Sequence, residues 1–288
     1  MSHKKAIAVT CLVALMWSLA GFNIKMIQWS PYAIAAGRSL VAAILLAPMV
    51  LRSRPFKIDR YVVGGAVCYA AFNYCFITST TLTSSAIAIM MQYTAPIYVA
   101  LLSWVFLRER IGRADVISVI FVFLGMVFFF LDSNSGGSLQ GNIIAIFNGI
   151  TFAGISLFLR LQKNGNPVLS MYFGNVLSAV VGVPMMWQGG IPDTVSLLFL
   201  LLAGVLVAVS YTLYAKASTG LSALETVLLP IIDPVMNPVW VFLFLNERPG
   251  ALTLVGAAVI LVAVTARVVS GLARTTPPQA ELPAQRRS

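Results

Sequence analysis

Residues 84–130 read SSAIAIMMQYTAPIYVALLSWVFLRERIGRADVISVIFVFLGMVFFF, and residues 221–264 read LSALETVLLPIIDPVMNPVWVFLFLNERPGALTLVGAAVILVAV. In each stretch a short charged segment separates two apolar blocks of about twenty residues, the length that crosses a bilayer core of about 30 Å. The alternating ten-residue strands that a membrane barrel needs are absent, so the blocks are predicted to be helices. The whole chain is 59% hydrophobic and 10% charged, which is typical of a membrane protein.

The same pattern of apolar blocks separated by short polar segments continues along all 288 residues. The first block follows Lys4 and Lys5 as in a signal peptide, but nine more blocks come after it, so it is predicted to be a transmembrane helix. The chain is therefore predicted to be an all-α polytopic membrane protein. We place ten transmembrane helices near residues 6–27, 31–51, 60–81, 84–107, 114–131, 141–162, 166–188, 194–217, 222–245 and 251–271.

The lysines and arginines indicate how these helices face, because cytoplasmic loops carry an excess of both residues. Sixteen of the 19 lie on the side of the chain termini, whereas the opposite side holds only Arg248. Both termini are therefore predicted to be cytoplasmic, with the protein in the inner membrane of a bacterium. The net charge of +10 follows from this topology, and no nucleic-acid partner is expected. Cys11, Cys68 and Cys75 lie inside apolar blocks and are predicted to pack there without disulfides.

The chain resembles itself at an offset of 138 residues. The matching residues are Ser84 and Ser222, Pro96 and Pro234, and the pairs Glu109-Arg110 and Glu247-Arg248. Because each half holds an odd number of spans, the second half enters the membrane inverted, as in secondary transporters. We predict repeats at 1–137 and 138–272, followed by a disordered cytoplasmic tail at 273–288. The alternative is chance similarity, since long apolar stretches always align to some degree.

The two stretches quoted first resemble the EamA-type module of the drug/metabolite transporter superfamily. Each has a small-residue start, a mid-helix proline and a Leu-x-Glu-Arg end. ALMWSLAGF in the first span and AAGRSLVAAILLAP in the second also resemble that family, so the likeness covers about residues 6–271. One departure is Ala263, which stands at the repeat position of Gly125. The resemblance implies a central cavity built from spans one, three, four, six, eight and nine. Within the superfamily the chain is most similar to YddG-type exporters of aromatic amino acids.

Polar and aromatic side chains inside the spans are candidates to line that cavity, because they are costly against lipid. Trp17 lies at the middle of span one, where its indole N–H needs a partner. The other candidates are Asn73, Tyr74 and Thr78 in span three, Met91, Gln92 and Tyr93 in span four, and Ser210, Tyr211 and Tyr214 in span eight. Proline interrupts helical hydrogen bonds, so Pro96, Pro230 and Pro234 are candidate hinges. The alternative is that Trp17 and span four only pack against their neighbours.

Two charges lie deep in the predicted spans, and intramembrane charges are functional candidates by default. Asp233, near the centre of span nine, is a candidate to bind a substrate amine or to exchange a proton. Arg38 is assigned a structural role, because span two is peripheral in the family fold. The alternatives are that Arg38 meets a substrate carboxylate or that it neutralises Asp233. Span six carries a small-residue face for close helix packing, formed by Ala145, Gly149 and Ala153.

These features favour a transporter over other classes of membrane protein. The motifs His-Glu-x-x-His and Gly-x-Ser-x-Gly are absent, and the sole histidine, His3, lies in the N-terminal tail, so no enzyme is expected. We expect export of aromatic or apolar amino acids such as Phe, Trp, Tyr, Met and Thr by alternating access, without a metal or cofactor. The alternatives are proton-coupled export of drugs or other small metabolites, and a channel or non-catalytic scaffold. The expected partners are a small-molecule substrate and the lipid bilayer; the sequence does not indicate an oligomeric state.

Overall fold

The computed structural model of the protein describes residues 3–52, 56–95, 97–98, 113–132, 138–162, 166, 168–218, 230, 232–246 and 249–275. Within these ranges the regular structure is helical and contains no β-strand. The helices are α1 (His3–Ser18), α2 (Ala20–Lys25), α3 (Pro31–Arg52), α4 (Arg60–Leu82), α5 (Ser85–Gln92), α6 (Arg113–Leu131), α7 (Leu139–Leu161), α8 (Val168–Gln188), α9 (Thr194–Ser218), α10 (Ile232–Leu245) and α11 (Ala251–Thr275).

Within the described residues, six helical segments are long and apolar enough to cross a membrane: His3–Lys25, Pro31–Arg52, Arg60–Leu82, Leu139–Leu159, Val168–Gln188 and Thr194–Tyr214. Shorter apolar segments lie at Val116–Phe128, Asp233–Leu245 and Ala251–Ala263. Helices α3, α4, α6, α7, α8 and α9 begin and end within a few residues of the predicted spans. Helix α11 continues to Thr275, beyond the predicted end of the tenth span at 271, and the tail at 273–288 stays a prediction.

The first predicted span is divided near its middle, where the sequence analysis expected one continuous helix. Helix α1 ends at Ser18 and α2 begins at Ala20, with Leu19 between them at a ψ of -9°. No proline marks this break, so the sequence contains no strong signal for it.

Span four is interrupted after Gln92, where α5 ends. In span nine the described residues are 230 and 232–246, and α10 covers Ile232–Leu245. Pro234 is the third residue of α10, where its missing N–H breaks no helical hydrogen bond. The third candidate hinge, Pro96, lies outside the described residues.

Polar side chains cap the starts of several helices by accepting hydrogen bonds from backbone N–H groups that have no partner within the helix. Asp59 Oδ1 accepts hydrogen bonds from two N–H groups at the start of α4, both at 2.9 Å. Ser84 and Ser138 cap α5 and α7 in the same way. In the polar segment before α9, hydrogen bonds from the side chain and backbone of Ser196 hold the pKa of Asp193 below its usual value.

Helices from the two halves pack in matched pairs. Helix α3 packs against α8 and α6 against α11, and the members of each pair are related by an offset of 136 or 138 residues, whereas α5 packs against α10 without that relation. Helix α4 packs on α7 and α8, just as α9 packs on α1 and α3. The short helix α2 contacts α4, α9 and α10, so the centre of the molecule lies among these elements.

The small-residue face of span six is confirmed. Ala145 and Ala153 are fully buried, and a Cβ atom added at Gly149 would overlap the carbonyl oxygen of Met91 in α5. Close contact between α7 and α5 therefore depends on the absence of a side chain at residue 149.

Replacing Gly149 with Val is expected to lower the free energy of unfolding by about 1–3 kcal/mol, because backbone has to move to admit the side chain. Thermal unfolding of the purified protein in detergent, followed by size-exclusion chromatography, measures the effect. Ile150→Phe is the control, since residue 150 is exposed on the same helix and also gains volume. Equal unfolding temperatures for Gly149→Val and the wild type would contradict this account.

Candidate functional site

One tyrosine of span four contacts two groups at the start of span nine's helix α10. The Tyr93 hydroxyl, just beyond the end of α5, is 2.9 Å from the carbonyl oxygen of Pro230 and 3.1 Å from Asp233 Oδ2. A hydroxyl has one proton to donate, so these two acceptors share it. The contact joins a side chain of the first half to backbone and carboxylate groups of the second half.

Polar side chains continue along the same face of α10. Asp233 and Asn237 are four residues apart and are 1% and 0% exposed. Asp233 Oδ1 and both polar atoms of the Asn237 amide have no hydrogen-bond partner among the described residues. A Cβ atom added at Gly21 in α2 would lie 3.1 Å from Asn237 Cγ, so the break in span one is packed directly against this amide. Buried polar groups normally have partners, so this unsatisfied set is a candidate binding element.

An aromatic cluster, formed by Trp17, Tyr69, Tyr211 and Tyr214, lies between α1, α4 and α9. The Trp17 ring centroid is 5.4 Å from that of Tyr211 and 5.1 Å from that of Tyr214, and the rings are tilted. Trp17 Nε1 donates to Ser210 Oγ at 2.9 Å, which supplies the predicted partner of the indole. Tyr69 packs edge-on against Tyr211 at 5.5 Å.

Arg38 is held on α3 by a neighbouring amide on α4. Its Nε donates to Asn73 Oδ1 at 3.0 Å, and its Nη2 donates to the same oxygen. Asn73 Nδ2 donates back to Ser39 Oγ and to the carbonyl of Ala35. The guanidinium also lies 6.0 Å from the centroid of the Phe76 ring. These contacts agree with the structural role predicted for Arg38, and they give Asn73 a packing role.

A cavity of about 30 Å³ lies beside this guanidinium. Its polar lining consists of Arg38, Asn23, Trp17 and Ser210, and apolar side chains of α1, α2 and α9 form the rest. Asn23 is 2% exposed, and its Oδ1 has no hydrogen-bond partner among the described residues. Span two was expected to be peripheral, yet it contributes Arg38 to the cavity wall.

The structure brings together most, but not all, of the predicted site residues. The aromatic cluster contains Trp17, Tyr211 and Tyr214, and Ser210 bonds to Trp17. The contact between spans four and nine contains Tyr93 and Asp233. Tyr74 instead donates to the carbonyl of Ser178 in α8 at 2.7 Å. Met91 is fully buried in a core cluster with residues of α6 and α11. Thr78 and Gln92 are buried at 5% and 6% exposure.

Three residues of the site were missed by the sequence analysis: Tyr69, Asn23 and Asn237. Each is a polar side chain inside an apolar run, which is the signal that selected the other candidates. Tyr69 lies one helical turn before Asn73, so a test of i, i+4 spacing along α4 finds it. The alternative in which Arg38 neutralises Asp233 is not supported by hydrogen bonds, because Arg38 donates to Asn73 and Asp233 accepts from Tyr93. Among the described residues no group of three or more His, Cys, Asp or Glu could hold a metal ion.

Apolar helices that break near a buried polar centre define the class of membrane proteins to which secondary transporters belong. A family model described as the EamA-like transporter family matches residues 4–131 and again residues 139–268. The chain belongs to this family. It is a multi-pass membrane transporter of the drug/metabolite transporter superfamily and not an enzyme.

The relatives have low sequence identity to this protein, but their alignments cover most of the chain. The pseudopaline exporter CntI of Pseudomonas aeruginosa is 27% identical over 235 residues, covering 80% of this chain and 81% of its own. The uncharacterized transporter YwfM of Bacillus subtilis is 26% identical, with coverage of 87% and 89%. Solute carrier family 35 member G1 of Mus musculus is 23% identical, with coverage of 90% and 77%. A solved crystal structure of a protein that is 18% identical has the same fold, with a TM-score of 0.62, covering 94% of this chain and 98% of that one.

Proposed function

We propose that this transporter exports amino acids with aromatic or apolar side chains across the bacterial inner membrane. Phe, Trp, Tyr, Met and Thr are the expected substrates, as in the YddG-type exporters that the sequence resembles. The name of the Pseudomonas relative, an exporter, supports the outward direction. The excess of basic residues on the side of the termini supports a cytoplasmic location for both termini.

The aromatic cluster, with a cation and an acid at its two sides, is the observation that carries this proposal. A free amino acid bears a carboxylate and an ammonium group, and the site offers Arg38 and Asp233 as opposite charges. Arg38 lines a cavity together with Trp17 of the cluster, and Asp233 accepts a hydrogen bond from Tyr93. The rings of Trp17, Tyr211 and Tyr214 provide an apolar surface on which an aromatic or thioether side chain packs favourably.

The proposed mechanism is alternating access by two inverted five-helix repeats at 1–137 and 138–272. The duplicate family match and the matched helix pairs α3–α8 and α6–α11 support this architecture. The cavity of about 30 Å³ is about a tenth of the smallest usual ligand pocket of about 300 Å³, so a substrate needs the halves to move apart. Pro96, Pro230 and Pro234 are the proposed hinges, because Pro230 and Pro234 flank the start of α10.

Counterflow in proteoliposomes tests the proposed substrate. Vesicles are loaded with unlabelled Phe, Trp, Met or Thr, and labelled Phe is added outside. We expect labelled Phe to accumulate transiently in vesicles that contain the protein, and not in vesicles without it. Vesicles loaded with a sugar are the specificity control. Protein that is folded but gives no accumulation with any amino acid would refute amino-acid export.

A second candidate function is proton-coupled export of drugs or other small metabolites. Asp233 favours it, because a buried carboxylate with an unpartnered Oδ1 is typical of proton relays in transporters.

In the proton-coupled case, a pH gradient is expected to drive net movement of substrate by the wild type and not by Asp233→Asn, which cannot exchange a proton. Asp193→Asn is the control, since Asp193 lies in a polar segment outside the site. Uptake of labelled substrate by proteoliposomes under an imposed gradient gives the measurement. Equal acceleration of both proteins by the gradient would exclude Asp233 as the coupling group.

A further inference from the structure

We propose that the cavity bordered by Arg38, Asn23, Trp17 and Ser210 binds the carboxylate of the transported molecule. The proposal rests on the proposed amino-acid export and assigns one of its charged groups to a defined place. It gives Arg38 a second role beside the structural link to Asn73.

The first support is the incomplete neutralisation of Arg38. A guanidinium has five N–H donors, and its hydrogen bonds to described residues all go to one neutral amide oxygen, Asn73 Oδ1. No ion pair joins it to a carboxylate within the described part of the chain. Arg38 is only 5% exposed, so water does not compensate its charge as it does at a surface. An intramembrane cation without an anion is costly and marks a ligand pathway.

The second support is the geometry of the cavity. Arg38 lines it together with Asn23, Trp17 and Ser210. Its volume of about 30 Å³ accommodates a group of about two water molecules in size, as a carboxylate is. A guanidinium binds a carboxylate with two parallel N–H donors. Ser210 accepts from Trp17 and donates to the carbonyl of Val207 at 3.3 Å, so it holds the indole at the edge of the cavity.

The third support is the position of the cavity beside the aromatic cluster. Trp17 borders the cavity and also contacts Tyr211 and Tyr214, so a molecule with its carboxylate at Arg38 has its side chain at these rings. We expect its ammonium group to face Asp233, whose Oδ1 has no hydrogen-bond partner among the described residues. The site is therefore expected to distinguish a zwitterion from an amine of the same shape.

The test compares three ligands in the full-length protein: Phe, phenethylamine, which lacks the carboxylate, and 3-phenylpropionate, which lacks the amine. Competition against labelled Phe in detergent gives their affinities. Two variants remove the free positive charge. Arg38→Gln deletes it, whereas Asn73→Asp keeps the link to Arg38 and neutralises the guanidinium with a carboxylate. Asn73→Asp guards against a simple loss of folding, because the Ser39 hydroxyl can turn to donate to the new oxygen.

Two matched controls accompany these variants. Arg60→Gln removes an exposed arginine that lies over the Tyr61 ring at the start of α4. Asn142→Asp buries a new carboxylate where Asn142 accepts a hydrogen bond from Thr83, at the other end of α4. Both controls are expected to bind all three ligands as the wild type does.

We expect Arg38→Gln and Asn73→Asp to lower the affinity for Phe and 3-phenylpropionate about 10- to 100-fold. The affinity for phenethylamine is expected to change less than about twofold. Equal weakening of all three ligands in folded Asn73→Asp would overturn the subsite, as would wild-type protein that binds phenethylamine as tightly as Phe. If the wild type binds no amino acid, the proposed function fails by itself. Binding of labelled 3-phenylpropionate then tests the carboxylate subsite separately. Saturable binding that Asn73→Asp weakens supports the subsite, and the absence of such binding overturns it.

Discussion

Replacing Trp17 with Ala is expected to reduce the affinity for Phe and Trp by about 30-fold or more. The indole borders the cavity, and a substrate ring packed on it gains about 0.5–1.5 kcal/mol beyond the roughly 1.5–3 kcal/mol of apolar burial. Its ring contacts at 5.4 and 5.1 Å and its hydrogen bond to Ser210 orient the indole for that contact. Without the indole, Tyr211 and Tyr214 lose the wall that fixes their orientation, so the remaining rings offer a poorer surface.

Initial rates of Phe counterflow over a range of concentrations give the apparent affinity of each variant. Trp17→Phe is expected to fall between the wild type and Trp17→Ala, because it keeps the ring contacts but lacks the N–H donor. Trp187→Ala is the matched control, since Trp187 is 87% exposed at the end of α8 and contributes nothing to the cluster. If Trp17→Ala and Trp187→Ala both transport Phe as the wild type does, the aromatic cluster is not the substrate site.

A disulfide between residues 21 and 237 is expected to stop transport completely and reversibly. A Cβ atom at residue 21 would lie 3.1 Å from Asn237 Cγ, which places the two positions within the range that a disulfide spans. Residue 21 belongs to the first half of the chain and residue 237 to the second half. A covalent bond between them prevents the relative movement of the halves on which alternating access depends.

The double variant Gly21→Cys/Asn237→Cys is made with Cys11, Cys68 and Cys75 replaced by Ser, so that no other thiol reacts. After oxidation, counterflow of labelled Phe is measured before and after addition of a reductant. The reduced protein and each single-cysteine variant are expected to keep a measurable rate, because none of them carries the cross-link. An oxidised double variant that is fully cross-linked and still active at the reduced rate would rule out movement between α2 and α10.

Hydropathy and the placement of prolines were sufficient to predict most helices, because an apolar block of about twenty residues has few alternatives in a bilayer. The same reasoning found Trp17, Tyr93, Tyr211 and Asp233, since a polar group stands out in such a block. It did not find the break at Leu19, where the backbone departs from regular helix without a proline or a glycine. Helix α2, which follows the break, packs against α10, a contact that a single sequence does not show.

The direction in which each candidate points was harder to predict than its depth. Asn73 and Tyr74 are consecutive on α4 and therefore point about 100° apart, so the two could not face one centre together. The structure turns Asn73 toward Arg38 and Tyr74 toward α8. Tyr69 shares the Asn73 face and reaches Tyr211. Choosing candidates by helical face, in addition to polarity, therefore gives a more accurate site.

The link between Arg38 and Asn73 has a consequence for how the protein is made. An arginine within a membrane helix raises the free energy of insertion by up to about 2.5–3.5 kcal/mol. Its partner amide is synthesised 35 residues later, on the next helix. We therefore expect the insertion machinery to release α3 into lipid only together with α4, so that the guanidinium never meets the acyl chains alone. The link between Arg38 and Asn73 is therefore expected to be an early tertiary contact of the nascent chain in the membrane.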